Sequence, residues 1–124
     1  MKFVLVQSPT VWWPVTVRVP DDATPGKMSE QKLKVQFVIR DRDQTLDRQE
    51  EYAALETERE RLAFEEDDMV SIIRGWDGVV DGNGNPVPFS EEMLRAAWKK
   101  AWFRLGVNLA LQEILLGKEA QTGN

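Results

Sequence analysis

The segment Arg74-Gly75-Trp76-Asp77-Gly78-Val79-Val80-Asp81-Gly82-Asn83-Gly84-Asn85-Pro86-Val87-Pro88-Phe89-Ser90 constrains the fold more than any other part of the chain. Asp-Gly and Asn-Gly tolerate positive φ, so residues 81–85 predict a turn, and no helix can run through it. The segment reads as a helix exit, a short extended arm, the turn, and a new helix start. Ser90 supplies a hydroxyl N-cap behind the apolar Phe89, and Glu91 and Glu92 face the helix dipole in the first turn.

A chain of 124 residues, 42% hydrophobic and 30% charged, has the composition of one globular domain with a modest core, so residues 1–124 are expected to form a single domain. A net charge of −5 argues against a duplex nucleic-acid binder, which needs clustered cations to replace phosphate counterions. The chain has no cysteine, hence neither disulfides nor thiol chemistry, and no histidine, the commonest general base and metal ligand. No apolar run approaches a membrane span and no signal-peptide pattern opens the chain, so a soluble, cytoplasmic protein is expected.

Residues 11–20 (VWWPVTVRVP) place Trp13, Val15, Val17 and Val19 on one face of a strand, with Thr16 and Arg18 on the other. Pro14 cannot donate to a ladder, which predicts an edge strand or a bulge. Thr24-Pro25-Gly26 marks a turn, and residues 30–40 resume the alternation with Leu33, Val35, Phe37 and Ile39 on one face. The two runs predict a β-hairpin over about 11–40 with a basic polar face. Its apolar face needs cover from helices or another subunit. Residues 43–74 lack Gly and Pro and predict helix; Glu65-Glu66-Asp67-Asp68 offers a place to break it in two, with Asp67 or Asp68 as cap. Residues 90–116 predict a second helical region, on which Leu94, Trp98, Ala101, Leu105 and Leu109 trace one face with Trp102 beside it. Gly106 is a candidate kink or break, Gly117 a C-cap, and residues 118–124 a frayed tail. The class is α+β: an N-terminal hairpin, then a mainly helical region interrupted by a short Gly/Asn-rich turn.

Few motifs carry chemistry. Asp81, Asn83, Asn85 and Glu92 match positions of a calcium loop, but Pro86 stands where its sharp turn requires Gly, so the turn reading prevails and no metal is expected. The serines lack a histidine to activate them, no phosphate-cradling Gly loop is present, and the carboxylates crowd a solvated helix face. No enzyme and no cofactor are expected. Trp98 and Trp102, beside Lys99, Lys100 and Arg104, have the makings of a stacking platform for single strands, yet one-turn spacing is ordinary core or interface packing. Trp12 and Trp13 cannot share a strand face, which hints at an interface.

In sequence order the chain resembles the tail assembly chaperones of long-tailed (siphovirus-type) bacteriophages and prophages. The resemblance runs through WPVTVRVP, KLKVQFVIRDRDQ and the acidic helix. Its most specific piece is SIIRGWDGVVDGNGNPVPFSEEML; the later AAWKKAWFRLGVNLALQ departs from the pattern by being bulkier and more aromatic. The resemblance implies a non-catalytic protein that binds the long helical tape measure protein and keeps it soluble while tail tube subunits assemble around it. It also implies action in the cytoplasm of the bacterial host, absence from the mature virion, and contact with the tail tube protein through a frameshifted longer form; self-association into a homo-oligomer is expected from the adjacent Trp12 and Trp13 and from the avidity it would add along a client. On this reading Trp12, Trp13, Leu94, Trp98, Trp102 and Leu105 supply core and client contact, while Trp76, Val79 and Val80 anchor the loop. A rival reading is an acidic DNA-mimic inhibitor of a nucleic-acid enzyme, acting through Glu56, Glu58, Glu60 and Glu65. A minor structural tail protein is a third.

Overall fold

Alternating apolar residues produce the two long strands, β1 (Thr10–Pro20) and β2 (Met28–Val38), paired antiparallel from Thr10↔Val38 to Pro20↔Met28. Pro25 and Gly26 close the hairpin: Lys27 N–H donates to Thr24 C=O at 3.2 Å and Gly26 takes φ +87°, the combination a type II turn requires. Bonds from Asp21 N–H to Lys27 C=O and from Ile39 N–H to Pro9 C=O bracket the ladder. Counting inward from either end in steps of two, the odd residues of β1 bond β2. Pro14 therefore turns its donorless nitrogen outward, at the free edge of the sheet, which is where a proline is tolerated.

The computed structural model describes residues 1–5 and 9–120. After the hairpin come α1 (Arg42–Ala53), α2 (Glu58–Ile72), β3 (Ile73–Asp77), α3 (Glu91–Trp98) and α4 (Ala101–Leu115). The fold is mixed α+β, with an antiparallel sheet of order β1-β2-β3 and four helices. Above the sheet, α4 lies on β1, α2 packs against β3, and α3 bridges α2 and α4. Val15, Val17, Val35, Phe37, Ile73 and Trp76 from the sheet meet Ile72, Leu94, Trp98, Phe103, Val107 and Ala110 from the helices in one core. The expected covering of the hairpin's apolar face by helices is what the structure has.

Three expectations need correction. The expected helix over 43–74 breaks at residues 54–57, not at the acidic run: Thr57 accepts from Glu60 N–H and starts α2, while Asp41 caps α1 in a reciprocal capping box with Gln44. Asp67 and Asp68 lie inside α2, where cations from other elements hold them. That helix also ends two residues early, because β-branched Ile73 enters a third strand on β2, with a bulge that leaves Arg74 unpaired. The helical region over 90–116 breaks at Lys99–Lys100 instead of Gly106. Gly106 sits inside α4 because a Cβ there would stand 2.7 Å from the carbonyl oxygen of Thr16, so its absence lets helix and strand meet. At the C-terminus, Gly117 N–H donates to Ile114 C=O and Lys118 N–H to Glu113 C=O, the Schellman pattern. Of the expected frayed tail, residues 121–124 lie outside the described residues.

Candidate functional site

The break between α3 and α4 decides which aromatic and leucine side chains reach the surface. Leu94 and Trp98 are 1% and 6% exposed; both belong to the core, with Trp98 edge-on to Phe103 at 6.3 Å. They support the surface from below and are closed to a partner. A continuous helix would have carried the same face into Leu105 and Leu109. After the break, α4 buries Phe103, Gly106, Val107 and Ala110 and turns Trp102, Leu105 and Leu109 outward, and its C-cap residue Leu116 is exposed as well. Leu105 is 61% exposed and Leu109 50%. Spacings of three, four and seven residues set these side chains in one stripe, the geometry of a seam awaiting a second helix.

The stripe and Arg104 lie on different flanks of α4. Arg104 reaches back to the Trp98 carbonyl at 2.6 Å, so its flank of α4 faces α3. At 3.6 residues per turn the stripe lies on the other side of the buried Phe103, Gly106, Val107 and Ala110 from Arg104.

At the N-terminal end of α4, Trp102 also lines a cleft of about 740 Å³. Val17, Val19 and Leu33 form its floor, Trp76, Val79 and Val80 one wall, and Ala97 and Phe103 the other. The cleft owes its shape to the Gly/Asn-rich turn. Trp76 donates from Nε1 to the Val87 carbonyl at 2.9 Å and meets Phe89 edge-on at 5.3 Å, which fixes the loop against the sheet. Val79 and Val87 join across it by a 2.8 Å backbone bond, and Val80 pairs with Pro86. Val80 remains half exposed on the rim. The Asp81 carboxylate accepts from Asn83 N–H at 2.8 Å and Asn85 N–H at 3.0 Å. These bonds, that from Asn85 first, hold its carboxyl below the usual carboxylate range. The acid that resembled a calcium ligand thus braces its own turn.

The adjacent tryptophans of β1 divide between the two sheet faces. Trp13 points inward and donates from Nε1 to Glu113 on α4 at 3.0 Å. Trp12 lies on the outer face, half exposed, its ring 3.5 Å from where a Cβ on Gly75 would stand. It covers the bare backbone of β3 and does not join the α4 stripe. Of the residues picked from sequence, the structure brings Trp102, Trp76, Val79 and Val80 together at the cleft and places Leu105 on the adjoining stripe. Leu109 and Leu116 complete that stripe; their spacing was visible, but their exposure depends on the Lys99–Lys100 break.

The remaining charge clusters hold elements together. Arg95 of α3 bonds Glu66 at 2.9 Å and Asp67 at 2.8 Å on α2, and Lys99 meets Glu66 at 2.6 Å. The Lys99 bond, seconded by Arg95 against the cost of desolvation, holds Glu66 below the ordinary carboxylate range. Arg40 joins Asp68 at 2.6 Å, with Arg48 at 3.5 Å. By contrast α1 buries no residue, and between residues 41 and 72 twelve acids stand against four bases. Among the described residues no group of three or more His, Cys, Asp or Glu side chains could hold a metal ion, and no helix is long and apolar enough to cross a membrane. What the α4 surface offers is apolar contact beside a cleft able to take a side chain. No family model matches the chain, and comparison with curated proteins and with solved structures finds no match.

Proposed function

We propose that this chain is a non-catalytic tail assembly chaperone of the siphovirus type, holding the helical tape measure protein in solution while tail tube subunits assemble around it. The observation that carries the reading is the bare stripe Trp102–Leu105–Leu109 on α4, continued by its C-cap residue Leu116. Helix-in-groove recognition uses anchors at such spacing, and a monomer has no reason to leave a tryptophan and three leucines in line on one helix flank. The resemblance of the segment from Ser71 to Leu94 to that chaperone family supplies the identity of the client. Net charge keeps the pair soluble, and several copies along one client add avidity to weak individual contacts. In this reading the protein acts in the host cytoplasm, self-associates on the client, reaches the tail tube protein through a frameshifted longer form, and is left out of the finished particle.

Co-expression with the tape measure protein of the same genome tests it. The client is expected to be soluble and co-purify with the wild-type chain, and to precipitate with Leu105→Asp, which adds a charge to the stripe without touching the core. A client whose solubility ignores this chain sinks the proposal. Mass spectrometry of purified particles separates a chaperone from a minor structural tail protein, since only the latter is packaged.

The acidic-inhibitor reading draws on the exposed acids of the α1–α2 linker and the first half of α2. Binding through Glu56, Glu58, Glu60 and Glu65 would collapse with modest salt, whereas apolar docking on α4 survives it.

A further inference from the structure

We infer that two copies of this chain associate by exchanging residues 1–5, each laying Phe3, Val4 and Leu5 along the α4 stripe of the other. The inference goes beyond the chaperone reading and does not depend on it: a client and a second copy compete for one surface, which the exchange covers when no client is bound. The first observation is where bare apolar side chains concentrate. Of the fifteen large ones exposed among the described residues, four fall in residues 1–5 and five between Trp102 and Leu116. Phe3 is 88% exposed and Leu5 86%, so their own domain, α4 included, leaves them bare. Apolar surface gathered in this way marks a contact site. The second observation is position. Gly106 lies against Thr16 and Glu113 accepts from Trp13, so α4 runs antiparallel to β1, with its C-terminal end towards the start of that strand. Leu5 is four residues from Pro9, whose carbonyl continues the ladder to Ile39, a span of at most about 14 Å. The two groups therefore open at one end of the molecule, and a two-fold axis there brings each segment to the other copy's helix. The edge of β1 offers no alternative seat: Pro14 has no donor, and the outward Thr16 carbonyl already lies against Gly106. Area decides between exchange and a simple pairing of the two helices. Covering most of both groups in both copies removes on the order of 1,200 Å² from water, where specific interfaces begin, whereas α4 on α4 alone gives roughly half of that.

The chain has no cysteine, so an introduced pair reports the contact directly. Full-length Phe3→Cys and Leu109→Cys are mixed and oxidised, and the expected product is a covalent dimer of one of each, linked between positions 3 and 109 by peptide mass spectrometry. Sedimentation of the wild-type chain is expected to show a monomer–dimer equilibrium. Phe3→Asp and Leu109→Asp, both at exposed positions, should each weaken it by at least about ten-fold in Kd. Leu62→Asp, comparably exposed on α2, should leave it intact. A dimer linked between two copies of position 109 and indifferent to Phe3→Asp would assign α4 to α4 and overturn the inference. A wild-type chain that stays monomeric even near millimolar concentration overturns it too. The two proposals separate on Phe3→Asp, which is expected to abolish the dimer while the client stays soluble, since only α4 meets the client. If the link between 3 and 109 forms but client solubility ignores this chain, the chaperone reading fails and the exchange stands.

Discussion

Helices α1 and α4 are built on opposite principles. The twelve residues of α1 are held by a capping box, a cation over an aromatic ring (Arg48 on Phe64 at 5.7 Å) and ion pairs, and bury nothing. The fifteen residues of α4 lack a side-chain cap at their start and depend on Phe103, Gly106, Val107 and Ala110 pressed into the sheet. Helix stability in proteins comes mainly from burying an apolar face, so the two should respond to damage in different ways. Tight seating on one flank also makes the other flank of α4 informative: a helix so firmly placed presents its bare leucines in a fixed geometry, while α1 exposes mainly charge, with Leu46 and Tyr52 scattered among it.

Truncating the support beneath α4 should have the largest effect. Trp98→Ala removes a buried indole and its contact with Phe103, and is expected to cost about 3–5 kcal/mol in chemical denaturation. A loss below about 1 kcal/mol would mean that α3 and α4 do not share one core. Next comes Gly106→Ala. Alanine would gain about 1 kcal/mol of helix propensity, but its Cβ meets the Thr16 carbonyl, a backbone atom that cannot swing away. Overpacking of this kind costs about 1–3 kcal/mol, so a net loss is expected, and a stabilised variant would show that α4 sits farther from β1.

Gln49→Pro, in the middle of α1, sharpens the contrast. Proline disrupts a helix interior by about 3 kcal/mol, yet nothing in the core rests on α1. Hydrogen exchange should show α1 amides losing protection while the main unfolding transition moves by less than about 1 kcal/mol. A large shift would reveal that α1 is coupled to the domain after all. The smallest effect concerns pH. Glu66 is ionised more readily in the folded protein than in the unfolded chain, so the stabilisation from its contacts with Lys99 and Arg95 is complete above the unfolded carboxylate pKa of about 4.3 and fades as pH falls through the lower folded value. Glu66→Gln should flatten this acid-side decline, measured as melting temperature between neutral and acidic pH; an unchanged slope would assign the decline to other carboxylates.

The parts of the fold legible in the sequence were those set by local patterns. The hairpin, its turn, the edge position implied by Pro14, the Ser90 cap and the Gly117 exit all follow from alternation and from residues with one conformational preference. The third strand was hidden because residues 73–77 follow a helix-rich run, and a pairing with β2 across forty positions leaves no local trace. The break at Lys99–Lys100 was likewise invisible, since AWKKAW is good helix sequence and only the docking of Phe103 and Val107 on β1 rotates α4 away from the phase of α3. That rotation explains why the apolar face read across residues 94–109 splits into core at Leu94 and Trp98 and surface at Leu105. Trp12 and Trp13 were separable by strand parity alone, but only the structure shows that the outer one shields Gly75.

The most direct test of α4 as the docking surface is hydrogen exchange on this chain with and without bound tape measure protein. Protection gained along α4 and at the Val79–Val80 rim, with α1 unchanged, is the predicted result. Protection confined to α1 and the acidic start of α2, with α4 as exposed to exchange as in the free protein, would contradict it.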